Sequence, residues 1–135
     1  MPVYTKRWCD ARSSKDGWRI LICRYRPRAL LKKDETWDIW YNQLGPSKEL
    51  HAHAYGKFGH QPLNWDSYAK RYFREMKKKD SRDLIMSLAK LAAAGETITL
   101  LCSSACTEEN KCHRSLLKKL IENPQLLSEK KLDLI

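Results

Sequence analysis

The chain has no apolar run approaching the ~20 residues that cross a bilayer. Its opening, Met1-Pro2-Val3-Tyr4-Thr5-Lys6-Arg7, lacks the apolar core of a signal peptide. A cytoplasmic protein with no membrane contact is therefore expected. An even cysteine count is also missing: five thiols rule against a fully paired secreted framework. In a reducing compartment such thiols stay free, bind metal or do redox work. There is no internal repeat and no long low-complexity linker. With 135 residues, 42% of them hydrophobic, one globular domain over 1–135 is expected, with 125–135 a short helix or a frayed tail.

Acidic residues are scarce in the first 33 positions. Only Asp10 and Asp16 stand there against ten Lys/Arg, whereas residues 34–135 carry sixteen basic residues against fourteen acidic ones. Most of the formal net charge of +10 thus belongs to the N-terminal segment. A basic face attracts nucleic acid, a nucleotide or another phosphate-bearing partner. A Lys-rich soluble surface is the plain alternative.

Apolar patterning suggests few strands and several helices. Val3 to Trp8 reads as a short edge strand, and Trp18 to Cys23 as a strand buried on at least one face. Asp34 to Leu44 looks helical, with Trp37, Trp40, Tyr41 and Leu44 on one side. Ser47 can cap a short helix through Ala54, and Asn64 the next one, lined by Trp65, Tyr68, Tyr72, Phe73 and Met76. Ser81 is the expected cap of a further helix with Leu84, Ile85, Leu88 and Leu91 inward, ended by Gly95. A buried strand at 97–102 and a helix from His113 to Glu122 complete the pattern. The expected fold is a small α/β domain with a few-stranded, mostly parallel sheet. If the strands at 18–23 and 97–102 are parallel neighbours, Arg24, Arg26 and Arg28 approach the loop after residue 102.

That loop holds Cys102, Cys106, Cys112 and His113 within twelve residues. Thiolates and an imidazole suit zinc or an iron–sulfur cluster. The spacing has no paired C-x2-C knuckle, however, and adjacent Cys112 and His113 should point to different sides of a helix start. A second reading is a reactive thiol: Cys112 at a helix N-terminus, or a Cys106–Cys112 pair cycling through a disulfide. The phosphatase pattern Cys-x5-Arg is absent. A third reading is an anion site made of Arg24, Arg26, Arg28 and Arg114. Cys102 and Cys23 also read as small buried hydrophobes, and His51 and His53 sit on opposite helix faces. Binding of nucleic acid, nucleotide or another phosphate-bearing ligand at an arginine-lined strand end ranks first. A thiol-dependent redox enzyme or a metal protein on the 102–113 loop ranks second.

A series of motifs spans nearly the whole chain in order. Lys6-Arg7, Asp16-Gly17, Arg19-Ile20-Leu21-Ile22, Arg24 and Arg26-Pro27-Arg28 open it. Trp40, Leu44, Pro46-Ser47, Glu49-Leu50, Trp65, Arg71-Tyr72, Glu75 and Thr99-Leu100-Leu101 continue it. Together they resemble the YeaO-like family, a domain of unknown function. The resemblance implies a small intracellular α/β fold and, more weakly, a link to nucleic-acid metabolism. Cys23, Arg26 and Ala29 stand where the family usually has Asp, Trp and Gly. The ending Cys102…Cys112-His113-Arg114 is similar to a branch with a cysteine-bearing loop.

Overall fold

A computed structural model describes residues 3–54, 56, 63–104 and 106–128. Four parallel strands form one sheet in the order β1-β4-β2-β3. They are β1 (Val3–Arg7), β2 (Trp18–Leu21), β3 (Ile39–Trp40) and β4 (Ile98–Cys102). The central strand β4 is buried at every position, as a strand with neighbours on both sides must be. Strand β1 is the edge strand its mixed burial suggests. Because β4 lies between β1 and β2, the carboxyl ends of all three open at one sheet edge.

Strand alternation divides the interior in two. Val3, Ile20, Ile22, Ile98 and Leu100 belong to the main core with α2 (Trp65–Met76), α3 (Lys79–Ala93) and α4 (His113–Glu122). The short α1 (Lys48–Ala54) adds Leu50 to it. Leu21 and Leu101 point the other way, into a small cluster with Cys23, Cys102, Cys112, Trp8 and Trp37. A polar assembly packs against the amino-terminal end of that second face. Arg19, fully buried, donates to Asp16 Oδ2 at 2.5 Å and to the Thr36 carbonyl at 2.7 Å. Lys6 reaches Asp16 Oδ1 at 2.8 Å, and Thr99 Oγ1 donates to the Asp16 carbonyl. Burial alone would raise the Asp16 pKa. Hydrogen bonds from Lys6, the Ser13 N–H and Arg19 outweigh it and lower the pKa to about 2.

Helices α1, α2 and α4 form where expected. The Ser47 hydroxyl accepts from Leu50 N, and Asn64 Oδ1 accepts from Ser67 N. Three expectations need correction. Residues 34–44 are not a helix: two 3-10 turns, Lys32–Asp34 and Asn42–Leu44, flank β3. Pairing with β2 draws this segment out, and its aromatics serve separate ends. Trp40 Nε1 donates to the Cys23 carbonyl at 2.9 Å, while Trp37 meets Trp8 edge-on at 6.5 Å. Ser81 does not cap α3, which begins at Lys79; its hydroxyl donates instead to the Gln43 carbonyl. Leu91 faces out, leaving Ile85, Leu88, Ala89 and Ala92 as the buried stripe, with Leu84 packed partly buried against it. Gly45 permits a close approach. A Cβ there would lie 2.5 Å from the Arg24 backbone nitrogen. Residues 129–135 of the expected tail lie outside the described residues; Pro124–Ser128 is a 3-10 turn. Among the described residues no helix is long and apolar enough to cross a membrane.

Candidate metal centre and cleft

Strand β4 ends at Cys102, whose Sγ lies 3.4 Å from Cys106 Sγ and 3.2 Å from Cys112 Sγ. All three sulfurs fall within 4.8 Å of one another. They are placed to hold one metal ion. Cys102 and Cys112 are buried, whereas Cys106 is partly open. Cys23, two residues past β2, brings a fourth sulfur to 3.9 Å from Cys102. Sequence reasoning treated Cys23 as a plain apolar filler; the pairing of β2 with β4 is what brings the segment after β2 beside the end of β4.

The imidazole of His113 joins the cluster, against the expectation that it diverges from Cys112. Its Nδ1 is 3.8 Å from Cys102 Sγ and 4.0 Å from Cys112 Sγ. Cys112 is the extended residue before α4 and His113 its first helical one, so the helix-face rule does not separate the two side chains. His113 Nε2 lies 2.9 Å from the Ile22 carbonyl, which can only accept. Nε2 therefore carries the proton. Burial lowers the His113 pKa and keeps the ring neutral, so the Nδ1 lone pair faces the sulfurs. This is the outer hydrogen bond that orients a metal-bound histidine. Among the thiols, Cys106 ionises first. Hydrogen bonds from Cys102 and Cys112 lower its pKa, and the charge of Arg114 adds to them. Sharing those bonds, together with burial, raises Cys102 and Cys112.

Arg114 is buried behind the loop. Its Nη2 donates to the Cys106 carbonyl at 3.1 Å, and its Nε has no hydrogen-bond partner. A buried cation beside thiols calls for negative charge on the sulfurs.

The cluster lies against a cavity of about 690 Å³ lined by Cys102, Cys106, Cys112 and His113 and by residues after β1 and β2. Arg24, Arg26 and Arg28 all line it. Their roles differ. Arg26 binds Glu35 at 2.8 Å and the Leu30 carbonyl, and lies over the Trp37 ring. Elsewhere in the basic segment, Lys6, Arg7, Arg12 and Arg19 are also paired with carboxylates. Arg24 and Arg28 have no such partner among the described residues, so the basic surplus reaches the cleft through them. Sequence reasoning missed the aromatic wall: Trp8, Tyr25, Trp65 and Tyr68, with His51. No spacing signal links these distant positions. His51 and His53 do diverge, His51 to Tyr25 and His53 Nδ1 to Arg71 at 2.7 Å.

Fold and site together define a small parallel-sheet α/β protein with a thiol cluster beside a cleft at the carboxyl ends of its strands. The chain belongs to the family DUF488-N3a, described as the active DUF488-N3 subclade, which it matches over residues 3–125. It is similar to the uncharacterized protein YeaO of Escherichia coli K12, 29% identical over 110 residues, 82% of this chain and 90% of that protein. The uncharacterized proteins Rv3073c of Mycobacterium tuberculosis H37Rv and Mb3100c of Mycobacterium bovis are each 38% identical over 61 residues, 45% of this chain and 48% of each protein. The YeaO-like resemblance carried by the motifs therefore holds. No solved structure matches the chain.

Proposed function

We propose that the protein binds one zinc-class ion through Cys102, Cys106 and Cys112, with His113 Nδ1 as fourth donor, beside a cleft that receives an anionic small molecule. The convergence of the three sulfurs carries this reading. Tetrahedral zinc with bonds of ~2.3 Å holds its sulfurs about 3.8 Å apart. The observed 3.2 and 3.4 Å, with His113 Nδ1 at 3.8 and 4.0 Å, need only a small outward movement. An iron–sulfur cluster spreads its cysteines around several metal atoms, and sulfurs this close suit a single ion better. Charge supports the same set. Three thiolates, a neutral imidazole and a divalent ion carry a net negative charge, which buried Arg114 offsets. Loop spacing looked unfavourable because it does not follow a knuckle; the loop folds back from β4 to α4 and closes the site across ten residues. Thiolates of this kind persist in a reducing compartment, which supports a cytoplasmic location.

Elemental analysis of untagged protein purified without oxygen tests the proposal. About one zinc or iron per chain is expected, dropping well below one in Cys106→Ser and Cys112→Ser. Cobalt loading should give the intense near-ultraviolet band of thiolate ligation. Sub-stoichiometric metal in protein made in zinc-replete medium, with no cobalt–thiolate band, would overturn it.

A further inference from the structure

We infer that the cleft is a nucleotide-type site: it takes a phosphate at Arg24 and Arg28 and a flat heterocycle against Trp65 and Tyr68. This rests on the cleft being an anion-receiving site and names the class of anion. Three observations carry it. First, charge: among the described residues that line the cavity there is no Asp or Glu, while Arg24, Arg26, Arg28 and Lys111 are present. Arg26 is neutralised by Glu35, and exposed Lys111 faces Glu108 at 3.9 Å. Arg24 and Arg28 are left to meet an anion, and guanidinium groups suit phosphate by their forked geometry.

Second, shape: Trp65 and Tyr68 are one turn apart on α2, with rings stacked 5.5 Å apart at 19°. Tyr68 in turn stacks on buried Tyr72 at 6.3 Å and 9°. Trp65 and Tyr68 line the cavity, buried Tyr72 backs them, and the Asn64 cap fixes the start of their helix. Heterocyclic bases stack on such walls without regard to sequence. Third, size: a cavity of about 690 Å³ falls within the roughly 300–1,000 Å³ of small-molecule sites. A nucleic-acid strand would need a track of basic residues along its backbone. Here five of the ten N-terminal cations are tied into ion pairs, and the unpaired arginines are gathered at the cleft. A single nucleotide is the fitting occupant.

The test is calorimetric titration of zinc-loaded protein with the four common 5′-nucleoside monophosphates, inorganic phosphate, the matching nucleosides and a ten-nucleotide single-stranded DNA. At least one monophosphate should bind tenfold or more tighter than both phosphate and its nucleoside. The double variant Arg24→Gln/Arg28→Gln should remove that tenfold gain while nucleoside binding stays unchanged. Both side chains are at least partly exposed, and circular dichroism checks that the fold is kept. Nucleotide should quench tryptophan fluorescence in the wild type; Trp65→Phe should keep the affinity within threefold and lose most of the quench. Phosphate binding as tightly as every monophosphate, no monophosphate binding at all, or the DNA binding tenfold tighter than any monophosphate would each overturn the inference. Metal content is measured on the same samples. One ion per chain without nucleotide binding removes only this inference, and nucleotide binding by metal-free protein removes only the metal proposal.

Discussion

Beneath the sheet, Asp16 and Arg19 are buried against each other, and Lys6, Ser13, Thr36 and Thr99 close the arrangement around them. At the carboxyl end of the same sheet, Cys102, Cys106, Cys112 and His113 are gathered just as tightly, yet their donor atoms face one another. In the first cluster acids meet bases, and one nitrogen, Arg19 Nη2, is left without a partner. In the second, soft donors converge with no acceptor among them, and an arginine waits behind the loop. A polar group buried for stability is satisfied by the chain itself. A set of like donors aimed at one point asks for something the chain does not supply. Both clusters are largely buried, so the difference reflects partners rather than depth.

The largest effect should come from opening the self-satisfied cluster. Arg19→Met takes from buried Asp16 its buried ion-pair partner, leaving only Lys6 and the Ser13 N–H, and urea unfolding should show a loss of about 3 kcal/mol. Metal content should stay at one per chain in whatever fraction remains folded. The reverse experiment acts on the other cluster. Removing the proposed ion with a chelator should cost about 2.7 kcal/mol relative to protein with free metal at 100 times its Kd. The matching fall in Tm should vanish in Cys106→Ser. If chelation left the wild-type Tm unmoved, the contrast between the two clusters would collapse.

Much of the helical side of the molecule is legible in the sequence, because periodicity reports burial against a single face. The stripe Tyr72, Phe73 and Met76 and the helix His113–Glu122 are read directly from it. The other side is not. Trp37, Trp40 and Tyr41 imitate a helical face, but a two-residue strand and two 3-10 turns suffice to cover the sheet there. Arg19 looks like one more cation in a basic segment; nothing local shows that it is buried. For the site, the loop and the placement of Arg24, Arg26 and Arg28 beside it are both readable. What local spacing hides is convergence: Cys23 meets Cys102 because β2 and β4 are neighbours, and His113 meets Cys112 at the start of α4. The aromatic wall comes from α2, far along the chain, and only the tertiary fold carries it to the arginines.

Acid should separate the clusters by a smaller amount. The folded Asp16 pKa of about 2 lies below the ordinary 3.8. A depressed acid pKa stabilises the fold fully above the unfolded value and loses that contribution as pH falls through the folded one. Between pH 5 and pH 2, wild type should therefore lose roughly 1–2 kcal/mol through this group, and Asp16→Asn should show a flatter profile. Metal release from the thiol cluster over the same range should be unchanged by Asp16→Asn, since it depends on protonation of the ligands.

The finest distinction lies at Cys23, which touches Cys102 but stands outside the proposed ligand set. If the cluster is defined by donors aimed at one point, Cys23 is packing and its sulfur is replaceable. Cys23→Ala should keep one metal per chain and the cobalt–thiolate band. Its cost should be about 1 kcal/mol in urea unfolding, that of a small cavity beside Leu21 and Leu101. Should metal content fall as far as in Cys106→Ser, Cys23 would replace His113 in the set. The site would then be four thiolates, and its greater negative charge would exceed what Arg114 alone can offset.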